Sequence, residues 1–174
     1  MTLSDVVLTR TSQRSYLPDP ISPLQREELQ KAIDACSQRS GLRLQLVCDR
    51  PEPFASLRKS YGVLKGVRNY LVLAGPAADP DLEEKCGYYG EELVLTAGAM
   101  GLGTCWVGGT YDRESCLCHL QEGERLVCVV AVGRTPDKSY IDSVQPVFYL
   151  DVAPGSWYYY DVAEASVSHE HTGS

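Results

Sequence analysis

The chain of 174 residues contains no run of about 18 apolar residues, so we expect a soluble protein without a transmembrane helix. Residues 1–10 lack a basic stretch followed by a long apolar core, so we expect no secretory signal peptide. The chain also lacks a run of lysines and arginines, and its formal net charge is −7. Because an acidic chain repels polyanions, this charge disfavours binding to nucleic acid or to an anionic membrane. An anionic ligand would have to be held by a few well-placed cations.

The sequence also lacks the even number of cysteines that is typical of a secreted disulfide framework. Its cysteines, most of them inside apolar periodic segments, are Cys36, Cys48, Cys86, Cys105, Cys116, Cys118 and Cys128. Buried, reduced thiols that act as small apolar side chains explain this pattern best. We therefore predict free cysteines and a location in the reducing cytoplasm.

Apolar periodicity predicts helices that alternate with buried strands in one domain, residues 1–167, followed by a polar tail at 168–174. The predicted helices lie at residues 2–9, 23–37, 54–59, 81–100 and 112–120. The predicted strands lie at residues 42–48, 70–74, 126–132 and 147–150, with 126–132 in the centre of the sheet. This order of elements indicates an α+β fold with a sheet flanked by helices.

Two glycines interrupt the strongest predicted helix, residues 81–100. Gly87 and Gly90 each cost a helix roughly 1 kcal/mol relative to alanine. Glycines in a core helix suggest that it packs closely on another backbone or on a ligand.

The segment Arg10–Tyr16 places two arginines and a serine within five residues. Fork-shaped cationic donors such as Arg10 and Arg14, together with the Ser12 hydroxyl, suit a phosphate group. Taken alone, the pattern is better explained as two solvated surface arginines.

A glycine-rich stretch runs from the predicted helix to Gly109. We interpret residues 101–109 as a turn after the helix, where the main chain can approach a planar ligand because no Cβ intervenes. The stretch lacks the lysine of a P-loop, and its glycines follow the helix, whereas in a dinucleotide fingerprint they precede one. The alternative is a helix cap and an ordinary turn, but the unusual composition favours a functional role.

A third pattern, Gly133–Lys138, directly follows the predicted central strand. Arg134 and Lys138 could complete an anion site at a strand end, where open sheets place ligands. The alternative is a basic surface loop.

Other groups are better explained by packing. Cys116, Cys118 and His119 lack the second ligand pair that a zinc site needs. Cys105 has apolar surroundings, which should raise the pKa of its thiol. The aromatic run at 157–160 is interpreted equally well as a partner surface or as a core edge.

Together, the three patterns resemble the nitroreductase family of flavoproteins, in particular its internally two-part branch. The resemblance covers roughly residues 3–138 and is most specific from Gly87 to Gly109. It implies an α+β fold with a mixed sheet flanked by helices, and a homodimer with FMN between the subunits. It further implies transfer of a hydride from NAD(P)H through the flavin to nitroaromatic or quinone-like acceptors.

The resemblance also implies roles for individual residues. Arg10 and Ser12 would hold the FMN phosphate, and Arg14 would face the pyrimidine edge of the flavin. The main chain of Val107, Gly108 and Gly109 would lie near the reactive N5 atom. Arg134 and Lys138 would add phosphate contacts. The flavin carries the reaction, so no catalytic side chain and no metal are expected.

The chain departs from the family in its C-terminal half. The family element Ala-Pro-Ser-x-x-Asn-x-Gln-Pro-Trp is missing, and only residues 144–147 resemble a fragment of it. Residues 138–167 therefore look shortened, and we expect weak or no flavin retention. Besides the enzyme, two alternatives stay open: a degenerate flavin-fold binding module without turnover, and a shortened chain without function.

Overall fold

The computed structural model describes residues 3–55 and 64–136, which all belong to one compact unit of the chain. Its helices are α1 (Leu3–Thr9), α2 (Pro23–Ser40) and α3 (Leu82–Ala99), and Glu52–Phe54 forms a 3₁₀ turn. Its strands are β1 (Arg43–Val47), β2 (Asn69–Pro76), β3 (Gly103–Val107) and β4 (Glu124–Gly133). Within these residues no helix combines the length and the apolar character needed to cross a bilayer.

Local sequence signals account for the bounds of α2. Ser22 caps the helix, its side chain accepts a hydrogen bond from the Gln25 N–H, and the Gln25 side chain accepts one from the Ser22 N–H. Pro23 occupies the first turn, and Gly41 ends the helix with φ 73°, a left-handed conformation that favours glycine. Ser22 and Gln25 thus form a capping box at the start of the helix predicted at 23–37.

The sheet has the strand order β1-β2-β4-β3, and its ladders are antiparallel. Strand β4 is central, as predicted, because β2 and β3 pair with its two edges. One isolated parallel bridge, Ser12 to Thr104, adds the segment after α1 to the outer edge of β3. The α+β class is therefore confirmed, with both antiparallel and parallel pairings.

The two faces of the sheet are covered differently. Helices α2 and α3 pack on one face through residues that include Leu29, Ile33, Cys36, Leu71, Leu73, Leu93, Val94, Val130 and Val132. The opposite face is covered by Tyr16, the 3₁₀ turn and the loop around Tyr111. Successive strand residues point to opposite faces. Consequently Cys105 and Val107 lie on this second face, whereas Trp106 packs towards the helices.

Two predictions within the described residues are wrong. Residues 103–107 form strand β3, whereas the sequence predicted a turn. Residues 112–120 do not form a helix, because their N–H groups bond elsewhere. The N–H of Leu117 donates to the Tyr70 hydroxyl at 2.9 Å, and that of His119 donates to Oε1 of Gln45 at 3.0 Å.

The other predicted elements lie close to their expected bounds, and all seven cysteines are free. Only the start of the helix predicted at 54–59 can be compared, and it is a 3₁₀ turn ending at Phe54. The strand predicted at 147–150, the aromatic run 157–160, the shortened segment 138–167 and the polar tail lie outside the described residues.

Candidate functional site

The segment that follows α1 lies along the outer edge of β3. Ser12 forms a bridge with Thr104, and the N–H of Gln13 donates to the carbonyl of Thr104 at 2.9 Å. Gly103 makes this approach possible, because a Cβ there would lie 2.8 Å from Cγ of Gln13. The Arg10–Tyr16 pattern is therefore built into the sheet edge.

The same segment is tied down a second time at Tyr16. The N–H of Tyr16 donates to the carbonyl of Lys65 at 2.9 Å, and the N–H of Lys65 donates to the carbonyl of Arg14 at 2.8 Å. Gly66 has φ 71°, and a Cβ on it would lie 2.4 Å from the Tyr16 carbonyl oxygen. A glycine is required there for both reasons. These contacts fix the backbone on both sides of Ser12.

The Arg10 side chain has donors without hydrogen bonds. Its backbone N–H donates to the carbonyl of Val6 at 2.8 Å, which anchors the residue to the end of α1. Its Nε lies 3.8 Å from Oε1 of Glu91, beyond hydrogen-bonding distance. Within the described part of the chain, the buried Nε and Nη2 atoms have no hydrogen-bond partner. Because buried polar groups are normally paired, these donors are free to bind a further acceptor.

The charges of Arg10 and Arg14 and the Ser12 hydroxyl all influence the Cys105 thiol in the middle of β3. Burial raises the pKa of this thiol, and the charge of Arg14, a hydrogen bond from the Ser12 hydroxyl and the charge of Arg10 oppose that rise. The raised pKa agrees with the expectation from sequence. Ser12, which lies between the two arginines in the chain, is held at the edge of β3 beside Thr104.

Gly108 and Gly109, which end the glycine-rich stretch, follow β3 at its other end. Val107 is buried in the second face of the sheet, whereas Gly108 and Gly109 are exposed. Among the described residues, a Cβ on either glycine would meet nothing within 4 Å, so the main chain borders space that this part of the chain leaves open. At about 3.3 Å per residue, the four residue steps from Thr104 to Gly108 span about 13 Å. That distance separates the cationic end from the open end of the strand.

Arg134 follows β4 and lies near the same segment. Its carbonyl accepts a hydrogen bond from the N–H of Leu17 at 2.8 Å, and its Nη1 pairs with Oδ1 of Asp19 at 3.3 Å. The side chain also lines a cleft of about 530 Å³ beside Ser22 and Met100, at the start of α2. Its guanidinium is thus engaged by a carboxylate. Lys138 lies outside the described residues.

Sequence reasoning missed Glu91 and the role of Trp106. Oε2 of Glu91 accepts a hydrogen bond from Nε1 of Trp106 at 3.0 Å, while its other oxygen faces Arg10. The sequence feature that could have drawn attention to Glu91 is the pair Gly90-Glu91, which lies in the glycine-rich part of the chain. Its spacing along α3 does not reveal that Glu91 points towards a segment about 80 residues earlier.

These residues fit a flat ligand that carries a phosphate. The unpaired donors of Arg10 and the exposed Ser12 hydroxyl suit phosphate oxygens. The open space at Gly108 and Gly109 leaves room beside the main chain for a ring. The described residues contain no group of three or more side chains that could hold a metal ion.

Residues 2–149 match the protein family described as "Putative TM nitroreductase". The chain belongs to this nitroreductase family. The match spans most of the chain and includes all eight residues named from the resemblance. Membership supports an oxidoreductase function, and it agrees with the fold described above. No curated protein sequence matches the chain.

Solved structures of nitroreductases share the fold. A nitroreductase family protein from Clostridium novyi NT has a TM-score of 0.59 and 18% identity, and the match covers 80% of this chain and 88% of that one. Nitroreductase A from Vibrio parahaemolyticus has a TM-score of 0.60 and 18% identity, with coverage of 98% and 83%. An FMN-dependent nitroreductase from Clostridium difficile has a TM-score of 0.57 and 16% identity, with coverage of 81% and 95%.

Proposed function

We propose that this nitroreductase-family protein is an FMN-dependent oxidoreductase. It would pass a hydride from NAD(P)H through the flavin to nitroaromatic or quinone-like acceptors. The observation that carries the proposal is Arg10, whose buried Nε and Nη2 atoms have no hydrogen-bond partner in the described part of the chain. Ser12, two residues later, lies at the edge of β3. A phosphate supplies the acceptors that these donors need.

The residues of this chain bind and orient the flavin. Arg10 and Ser12 hold the phosphate, and Arg14 faces the pyrimidine edge, where a positive charge favours the reduced, anionic ring. The flavin itself supplies the hydride-accepting and hydride-donating chemistry. The main chain of Val107, Gly108 and Gly109 would border the reactive edge, because Gly108 and Gly109 carry no side chain and the Val107 side chain is buried in the second face of the sheet.

The two remaining cations contribute less directly. Arg134 is already paired with Asp19, so it adds to a phosphate contact only if it exchanges that partner. Lys138 keeps the same proposed role.

A homodimer and a cytoplasmic location complete the proposal. Val7 and Leu8 on α1 have 58% and 85% of their surface exposed, so a subunit contact would bury apolar surface there. The seven free cysteines suit a reducing compartment.

The absorbance spectrum of the purified full chain, before and after addition of FMN, tests the proposal. We expect bound FMN, and bleaching of its visible band when NADH or NADPH is added without oxygen. A protein that binds FMN but is not bleached would be a flavin-binding module without turnover. A protein that binds no FMN at any concentration contradicts the proposal.

A variant pair tests the role of Arg10. Arg10→Gln should weaken FMN binding at least about tenfold, because hydrogen bonds to charged groups are among the strongest in proteins. Arg39→Gln removes a half-exposed arginine that pairs with Glu92 on the far side of α3, and it should leave FMN affinity unchanged. Equal effects of the two variants would contradict the assignment of Arg10.

A further inference from the structure

Glu91 is a negative charge next to the cation proposed to bind phosphate. Its Oε1 lies 3.8 Å from Nε of Arg10, too far for a hydrogen bond but close enough for charge attraction. The interaction therefore offsets part of the positive charge of Arg10 and leaves its donors unsatisfied. Glu91 therefore acts on Arg10 through its charge alone. It does not form the hydrogen bonds that an anionic ligand would form with Nε and Nη2 of Arg10.

The carboxylate of Glu91 is held in place from its other side. Oε2 accepts a hydrogen bond from Nε1 of Trp106 at 3.0 Å. The indole in turn packs against α3, where a Cβ on Gly90 would lie 2.4 Å from its Cη2 atom. Because Trp106 belongs to the packed face of β3, the carboxylate is not free to swing away when an anion arrives.

The position of Arg10 is equally constrained. Helix α1 packs on α3 so closely that a Cβ on Gly98 would lie 2.6 Å from Cγ1 of Val6. Val6 accepts the backbone hydrogen bond of Arg10. The two opposite charges are thus fixed next to each other by the packing of α1, α3 and β3.

We propose that Glu91 is a resident counter-charge that limits how tightly Arg10 binds the flavin phosphate. The inference rests on the proposed function, because it takes the phosphate of FMN as the ligand of Arg10. A bound phosphate would meet the attraction of Arg10 and also the repulsion of Glu91, whose Oε1 lies 3.8 Å from Nε of Arg10. Glu91 therefore determines affinity and sets how readily the flavin exchanges.

The Glu91→Gln variant isolates the charge. Its amide oxygen still accepts the hydrogen bond from Trp106, whereas the negative charge beside Arg10 is lost. We expect FMN to bind about threefold to tenfold more tightly, the range expected for one partly exposed charge interaction. Riboflavin, which has no phosphate, should bind to both proteins equally. The difference for FMN should shrink in about 0.5 M salt, because the pair is partly exposed and therefore screened.

Glu92 offers a matched control on the next residue of α3. Its side chain is 42% exposed, against 40% for Glu91, but it pairs with Arg39. Glu92→Gln should change the affinity for neither flavin. A general effect of removing a carboxylate from α3 would appear in both variants.

Equilibrium titration of flavin fluorescence measures both affinities, and thermal unfolding with inorganic phosphate provides a readout without flavin. Tighter FMN binding and a larger stabilisation by phosphate in Glu91→Gln, with riboflavin unchanged, support the inference. Equal or weaker FMN binding by Glu91→Gln overturns it while the proposed function stands. If the wild-type protein binds no FMN but phosphate stabilises Glu91→Gln more than wild type, the proposed function fails and the counter-charge survives. If the wild-type protein binds no FMN and phosphate does not stabilise Glu91→Gln more than wild type, both the proposed function and the counter-charge are overturned.

Discussion

Gly90 faces the indole ring of Trp106 so closely that a Cβ on it would lie 2.4 Å from Cη2. The same Cβ would lie 2.9 Å from Cδ1 of Leu73. The absence of a side chain at Gly90 therefore allows α3 to pack on β3. It also lets Trp106 reach Glu91.

The first prediction contrasts the two glycines of α3. Gly90→Ala should lower the free energy of unfolding by about 1–2 kcal/mol, because the cost of overpacking exceeds the gain in helix propensity. Gly87→Ala should raise it by about 0.5–1 kcal/mol, because a Cβ there meets none of the described residues within 4 Å. Urea unfolding of the full chain measures both changes. Effects of the same sign would contradict the packing at Gly90.

The two glycines also show where sequence analysis stops. Gly87 and Gly90 looked alike in the helical pattern, and both predicted close packing. Gly90 is closely packed, but on the side chains of Trp106 and Leu73 and not on a backbone or a ligand as predicted. At Gly87 a Cβ would meet nothing within 4 Å among the described residues. Residues 103–107 were taken for a turn because glycines flank them, yet pairing with β4 makes them a strand.

In the candidate site, too, the local patterns could be predicted from the sequence, whereas the long-range contacts could not. The Arg10, Ser12 and Arg14 pattern is local, so it was visible in the sequence. In place of helical hydrogen bonds at 112–120, the N–H groups of Leu117 and His119 donate to the side chains of Tyr70 and Gln45. Both acceptors are distant in the chain. The contact of Glu91 with Arg10 likewise depends on α1 lying across α3, which no spacing along the chain predicts.

Gly66→Ala should destabilise the protein more than Gly41→Ala does. Both glycines have left-handed φ angles, 71° and 73°, so both substitutions strain the backbone. Only at Gly66 would the Cβ also collide with backbone, at 2.4 Å from the Tyr16 carbonyl oxygen. We expect a loss of about 1–2 kcal/mol for Gly41→Ala and at least about 3 kcal/mol for Gly66→Ala. Similar losses in urea unfolding would show that the contact between Tyr16 and Gly66 is not tight.

Removal of the Tyr70 hydroxyl should loosen the loop between β3 and β4. Tyr70 is fully buried, and its hydroxyl accepts the hydrogen bond from the Leu117 N–H at 2.9 Å. Tyr70→Phe should cost about 1–3 kcal/mol, because it leaves a part-buried N–H without its partner.

The control for this substitution is Tyr88→Phe, since Tyr88 is 70% exposed. It should leave the stability unchanged. Hydrogen exchange adds a local readout, because the amide of Leu117 should exchange faster in Tyr70→Phe only. Unchanged exchange at Leu117 would contradict the hydrogen bond.

The ion pair between Glu124 and Arg43 should make stability depend on pH in acid. Nε of Arg43 lies 3.2 Å from Oε2 of Glu124, which also accepts a hydrogen bond from the Gln121 N–H at 2.8 Å. The hydrogen bonds from Arg43 and Gln121 lower the pKa of the Glu124 carboxyl. A carboxyl with a lowered folded-state pKa stabilises the protein above its unfolded pKa of about 4.3, and that contribution is lost as the pH falls through the folded value.

Glu124→Gln should therefore be less stable than wild type by about 1 kcal/mol at pH 7, and the difference should vanish at the acid end. Urea unfolding between pH 7 and the acid limit of folding measures it, with Glu122→Gln, an exposed glutamate two residues away, as the control. A difference that is constant with pH would show that the loss comes from packing and not from the charge of Glu124.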